Sequence, residues 1–259
     1  MKHSPRIPLK IMAAMLLICL VSQTAKAQVG DYRSELAFGV SGGYMLSNVG
    51  FNPEIPQQNL GGITAGVTLR YTCEKYFKSI CAIVAELNFA QTGWKEELLT
   101  ADDLPVINPA TGQAEAYQRE LSYLQLPVFA RLGWGRERSG LQFYFQAGPQ
   151  VGYCIGEKTK MNFDFSQRNY EDRVGVMKQA PQDTMAVENK FDYGIAAGMG
   201  LEWSHPKMGH FLLEGRYYYG LGDIYGNSKR DFFGRSNLNN IVVKLTWLMD
   251  VKRSGRVKK

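Results

Sequence analysis

Apolar residues recur at every second position along most of the chain. In residues 191–203, FDYGIAAGMGLEW, the odd positions hold Phe, Tyr, Ile, Ala, Met, Leu and Trp, while the even ones hold only Asp, Gly, Ala and Glu. A period of two predicts a β-strand with two unlike faces. The same alternation predicts strands at 36–49, 61–73, 81–94, 120–134, 141–156, 209–225 and 237–250, which with 191–203 makes eight. A 3.6-residue period nowhere runs for the length of a helix, so little helix is expected.

The connections alternate too. Segments 74–80, 135–140 and 204–208 are short, whereas 50–60, 95–119, 157–190 and 226–236 are longer and richer in polar residues. A soluble meander has no reason to segregate its turns this way. A transmembrane barrel does, with short periplasmic turns and long extracellular loops. The predicted fold is therefore all-β: an eight-stranded antiparallel up-and-down transmembrane β-barrel with both termini on the periplasmic side. Strand length agrees, since crossing a bilayer takes about 9–11 tilted residues. Aromatics recur near segment ends, where interfacial girdles belong: Phe38, Tyr44, Tyr71, Trp94, Trp134, Tyr153, Trp203, Phe211, Tyr219 and Trp247.

If the large apolar face meets lipid, the other face lines the lumen. Its charges are Arg70, Glu86, Arg131, Asp192, Glu202, Glu214, Arg216 and Lys244, four of each sign. Unpaired charges in a tight interior are costly, so these residues are expected to form a compensating network. Asn88, Gln125, Gln142, Gln146, Gln150 and Asn240 fall on the same face, as do several glycines. Such a network could gate or conduct, or it could be the structural core of a plugged barrel. The diameter of eight strands, just wide enough for side chains to fill, favours the plug.

The N-terminus reads as an export signal. Lys2, Arg6 and Lys10 precede an apolar run from Ile11 to Val21, and Ala25-Lys26-Ala27 fits a small-x-small cleavage site. The run is about half the ~20 residues a membrane-spanning helix needs. The expected organisation is a signal peptide over 1–27, a barrel over 28–250 and a basic tail over 251–259. The chain's formal charge of +6 comes from its ends. The signal and the tail VKRSGRVKK hold bases and no acids, and the body between them has a slight excess of acids. An exported, slightly acidic body is a poor nucleic-acid ligand.

Candidate chemistry is sparse. Cys73 and Cys81 flank a short turn in a chain bound for an oxidising compartment, so a disulfide and a pair of separate buried thiols both fit. His205 and His210 bracket the 204–208 turn. Two histidines without a clustered Cys or carboxylate make a weak metal site, and both read as turn residues. No phosphate-binding glycine loop leads a strand into a helix. No catalytic residue, metal ligand or cofactor is therefore expected, and the chain does not read as an enzyme.

The AKAQ at the end of the signal, FGVSGGYMLSNV, LSYLQLPVFARLGW, FQAGPQVGY, FDYGIAAGMGLEW and EGRYYYGLGDIYG together resemble the PorT-like outer-membrane β-barrel family of Bacteroidetes. The resemblance spans about 36–250. It implies an outer-membrane barrel in a Gram-negative, Bacteroidetes-like bacterium, and it transfers no functional residue. The family's namesake takes part in protein secretion.

On this reading the working surface is the long loops 95–119 and 157–190, with Tyr117, Phe163, Phe165 and Tyr170 as candidate contacts. The expected partners are outer-membrane lipid and lipopolysaccharide, the barrel-assembly machinery during insertion, and surface or secretion partners at the loops. A structural or surface-interaction barrel is the first expectation. The alternatives are an accessory component of secretion or envelope assembly, a narrow solute channel, and a soluble secreted barrel around a lipophilic ligand.

Overall fold

The computed structural model describes residues 31–76, 78–136, 139–164, 169, 171–173, 185–229 and 231–253. The expected signal peptide, the last residues of the basic tail, Phe165 and Tyr170 lie outside the described residues.

Eight long strands form one antiparallel ring: β1 (Asp31–Asn52), β3 (Leu60–Tyr76), β4 (Ser79–Glu96), β5 (Tyr117–Gly135), β6 (Gly140–Met161), β7 (Phe191–His205), β8 (Gly209–Asp223) and β9 (Arg235–Lys252). A two-residue strand, β2 (Gln57–Gln58), adds to the end of β4. Sequence neighbours pair throughout, and β9 returns to β1 with Val40 opposite Trp247. The β4–β5 ladder, from Ser79↔Trp134 to Glu96↔Tyr117, completes the circle. A closed ring leaves no long edge strand unpaired.

Alternation sets the two faces. Leu141 is 63% exposed and Leu245 64%, and their outward neighbours Phe143, Ile195, Leu201 and Val243 are likewise exposed. An apolar band of this extent is unsuited to water and suited to hydrocarbon. Among the described residues no helix is long and apolar enough to span a membrane. The strands do the crossing.

Most strands outrun their expected limits, at both ends of the ring, while β8 stops short at Asp223. β1 and β9 pair as far as Asn52↔Arg235, and β6 continues to Met161. The alternation fades there because loops cover the inward face. Val49, Phe51 and Leu238 join Ile55, Leu98, Val106 and Phe233 in an apolar core inside the mouth. The three short connections lie together at the opposite end, between Tyr76 and Ser79, Gly135 and Gly140, and His205 and Gly209. The loop between β4 and β5 has order of its own. Val106 N–H donates to Leu98 O at 2.9 Å, and Glu115 N–H donates to Val106 O at 2.8 Å.

Candidate functional site

The inward face carries polar side chains in layers, and all eight lumen charges named from the sequence are buried. Nearest the short turns, Glu202 on β7 gathers three bases. Arg70 Nη1 donates to both of its oxygens at 2.8 and 2.9 Å, Arg131 pairs with it from β5, and His210 Nδ1 lies 2.7 Å from Oε1. The Arg131 guanidinium lies 3.6 Å from the centroid of the Tyr144 ring.

The middle layer is built on two acids. Arg216 donates to Glu86 through both terminal nitrogens, at 2.9 and 3.0 Å, and to Glu214 through Nε at 2.7 Å. Lys244 Nζ reaches Glu86 at 2.7 Å, and Asn88 donates to it at 2.9 Å. Glu214 also accepts from Tyr144 at 3.1 Å and from Gln146 at 3.0 Å. Tyr144 thus touches both layers. Buried ion pairs of this kind hold only when each charge is matched and its hydrogen-bonding capacity met. Seven of the eight charges have an ion-pair partner here, although Arg70 Nε is buried without a hydrogen-bond partner. The eighth, Asp192, lies nearer the mouth and accepts from Tyr218 Oη at 2.6 Å.

The inward glycines make room for these long side chains. A Cβ on Gly200 would lie 2.6 Å from Tyr144 Oη and 2.4 Å from Leu213 O. An interior void bordered by Asn88, Gln125, Gln150 and Asn240 measures about 10 Å³, at the lower limit for holding a single water.

Above the polar layers the mouth is closed by aromatics. Phe51 packs edge-on to Trp94 at 5.4 Å and against Phe233 at 4.9 Å, and Tyr225 stacks on Phe233 at 5.7 Å. Arg119 donates to Tyr225 Oη at 2.8 Å, pairs with Glu157 and sits 5.7 Å from the Trp94 ring centroid. Burial raises the Tyr225 phenol above its ordinary range and keeps it neutral. Further out, Glu115 accepts from Arg173 at 2.9 Å with both side chains buried, so the two longest loops are tied together.

Several expectations change. Trp94 is fully buried and belongs to the mouth core rather than to a lipid girdle. Tyr117 begins β5 on its inward face and is 1% exposed, and Phe163 is buried beneath Arg173. Neither is free to meet a partner, because loop packing over the mouth uses their rings. Exposed apolar side chains in the 97–116 loop are instead Leu104 and Ile107. Cys73 and Cys81 stand as separate thiols. A register shift between Thr72 and Glu74 takes Cys73 out of the β3–β4 ladder, and its Sγ turns to Tyr71 O at 3.6 Å.

His205 remains a turn residue, accepting from the N–H groups of Lys207 and Met208, both at 3.3 Å. His210 does not. It lies inward, with Ser204 Oγ 2.8 Å from Nδ1 and Asp250 Oδ1 3.1 Å from Nε2. Its parity with Leu212, Glu214 and Arg216 carried that information. The Ser–His–Asp contact is not arranged for nucleophilic catalysis: Ser204 is 2% exposed, its hydroxyl donates to Glu202, and Glu202 shares the same ring nitrogen. Among the described residues no cluster of three or more His, Cys, Asp or Glu is arranged to hold a metal ion.

Solved structures similar to this chain are outer-membrane proteins. Ail, the attachment invasion locus protein of Yersinia pestis, in complex with the heparin analogue sucrose octasulfate, is 14% identical with a TM-score of 0.35, over 83% of this chain and 99% of that one. Neisserial surface protein A is 9% identical with a TM-score of 0.38, over 82% and 97%. OprG of Pseudomonas aeruginosa is 9% identical with a TM-score of 0.34, over 85% and 98%. Likenesses this distant carry no functional reading. A search of curated proteins finds no significant match. The model of a family described as outer membrane protein beta-barrel domain matches residues 22–226, which is most of the chain, and this protein belongs to that family.

Proposed function

We propose that this protein is a non-conducting outer-membrane barrel that works as a surface-interaction protein through the structure its loops build over the closed mouth. In this reading a leader ending at Ala27 directs export, the barrel occupies 28–250, and the tail from Val251 lies at the periplasmic surface. Its surroundings are outer-membrane lipid and lipopolysaccharide, and the barrel-assembly machinery handles its insertion. The PorT-like resemblance makes a Bacteroidetes-like envelope the expected setting.

One observation carries the reading. The lumen is crossed by matched buried charges and then sealed by the Phe51–Trp94–Tyr225–Phe233 core, so the barrel is a pedestal and not a pore. On that pedestal the 97–116 loop leaves Leu104 61% and Ile107 47% exposed, and loops held by a rigid scaffold are where binding residues concentrate.

The test is site-specific photo-crosslinking at Leu104 and Ile107 in intact cells. A discrete crosslinked product is expected at both positions. A folded, surface-accessible barrel that yields no product at either would overturn the proposal. A product containing an envelope secretion component would move the role to accessory secretion instead.

A further inference from the structure

The lipid face carries an apolar recess at its periplasmic end. Trp203, Phe211 and Trp247 lie side by side across β7, β8 and β9, with ring centroids 5.7 and 6.4 Å apart. One rung nearer the bilayer centre, Leu201, Leu213 and Leu245 continue the row, and there β1 presents Gly42 instead of a large side chain. The nearest non-neighbouring atom to a Cβ on Gly42 would be Thr64 O at 3.9 Å, so the gap is open. The resulting groove has a volume of about 420 Å³ and is almost wholly apolar.

Bases gather where the groove meets the interface. The Trp247 indole N–H donates to Met208 O at 2.8 Å, which fixes the turn between β7 and β8 against the end of the groove. That turn carries the exposed Lys207. Arg253, just past β9, reaches back to the same turn and donates to Pro206 O at 3.3 Å, beside the exposed Lys252. Asp250 is shared between Arg253 at 2.8 Å and His210 at 3.1 Å, and among the described residues no carboxylate pairs with Lys207 or Lys252.

We propose that this groove and its basic rim form a seat for one anionic diacyl phospholipid of the periplasmic leaflet, with an acyl chain lying in the recess at Gly42 and the phosphate held by Lys207 and Arg253. Bulk lipid tails are as apolar as the groove, so selectivity has to come from shape and from the headgroup charge. Shape is set by the missing side chain at residue 42, and charge by the turn and the end of β9. The inference rests on the membrane reading above.

The experiment follows tryptophan emission from the full chain carrying Trp134→Phe, refolded into phosphatidylcholine vesicles doped with brominated phosphatidylglycerol or brominated phosphatidylcholine. Trp94 is buried in the mouth, so quenching reports Trp203 and Trp247. Brominated phosphatidylglycerol is expected to quench at a mole fraction on the order of tenfold lower, as two surface bases acting on one phosphate imply. Gly42→Leu, which fills the recess without touching a charge, should abolish that preference, and so should Lys207→Glu combined with Arg253→Glu. Leu245→Phe, narrowing the groove from its other side, serves as the second filling variant. Equal quenching by the two lipids would overturn the seat. A preference that survives both filling variants would also overturn it, leaving only diffuse surface attraction. Stronger competition by lipid A than by phosphatidylglycerol would refute the assignment to a phospholipid. A chain that shows neither a heat-dependent gel shift nor quenching by either lipid would defeat the membrane reading together with the seat.

Discussion

Glu86→Gln tests whether the lumen is a dry plug. Glu86 is 4% exposed and accepts from Arg216 twice, from Lys244 and from Asn88. The amide keeps the size of the side chain and removes its charge. Lys244, 2% exposed, then loses the carboxylate 2.7 Å away and is left as a buried cation beside Arg216. Breaking one side of a buried, matched pair costs about 3–5 kcal/mol. The same change at an exposed pair costs about 0–1 kcal/mol. Glu120→Gln supplies that control, because its partner Lys160 has a side chain 51% exposed. The assay is reversible urea unfolding from phospholipid vesicles, followed by tryptophan emission. Glu86→Gln should lose several-fold more free energy than Glu120→Gln, and adding Lys244→Met should restore more than half of the loss by removing the orphaned charge. If Glu86→Gln costs no more than the control, water screens these pairs, the lumen is open, and the pedestal reading fails.

Other outcomes follow from the same layers. The purified protein in planar bilayers should show no stepwise conductance, and regular single-channel steps from the wild-type chain would contradict the closed lumen. Gly200→Ala should lower unfolding free energy by roughly 1–3 kcal/mol, the range for overpacking, because its Cβ would press on the Leu213 carbonyl and on the Tyr144 hydroxyl that Glu214 accepts from. Gly215→Ala, with no atom within 4 Å of its Cβ, should leave stability within about 0.5 kcal/mol by the same urea measurement. Alkylation of the unfolded, unreduced protein should label Cys73, Cys81 and Cys154 alike, as separate thiols require, and mass spectrometry would expose a bridge as two missing labels.

Period-two alternation made the ring readable because lipid and lumen impose opposite demands on adjacent residues. Arg70, Glu86 and Lys244 are conspicuous as soon as their neighbours Leu69, Leu87 and Leu245 are assigned to hydrocarbon. The same rule misleads where the environment changes along a strand. Near the mouth there is no hydrocarbon outside and an apolar core inside, so an aromatic at the end of β4 reads as girdle while its parity places it inward. Trp94 falls on the even positions of β4 with Glu86 and Asn88, and Tyr117 on the odd positions of β5 with Arg119 and Leu121. Parity, followed from the mid-strand charges, assigns both correctly, and it also assigns His210. What parity does not give is the partner of each charge across the lumen. Arg70 and Glu202 lie 132 positions apart and meet because of barrel stagger, which no single strand records. The pairing is therefore a property of the closed ring. It explains why charges far apart in the sequence gather in one matched core, which no strand read alone would reveal.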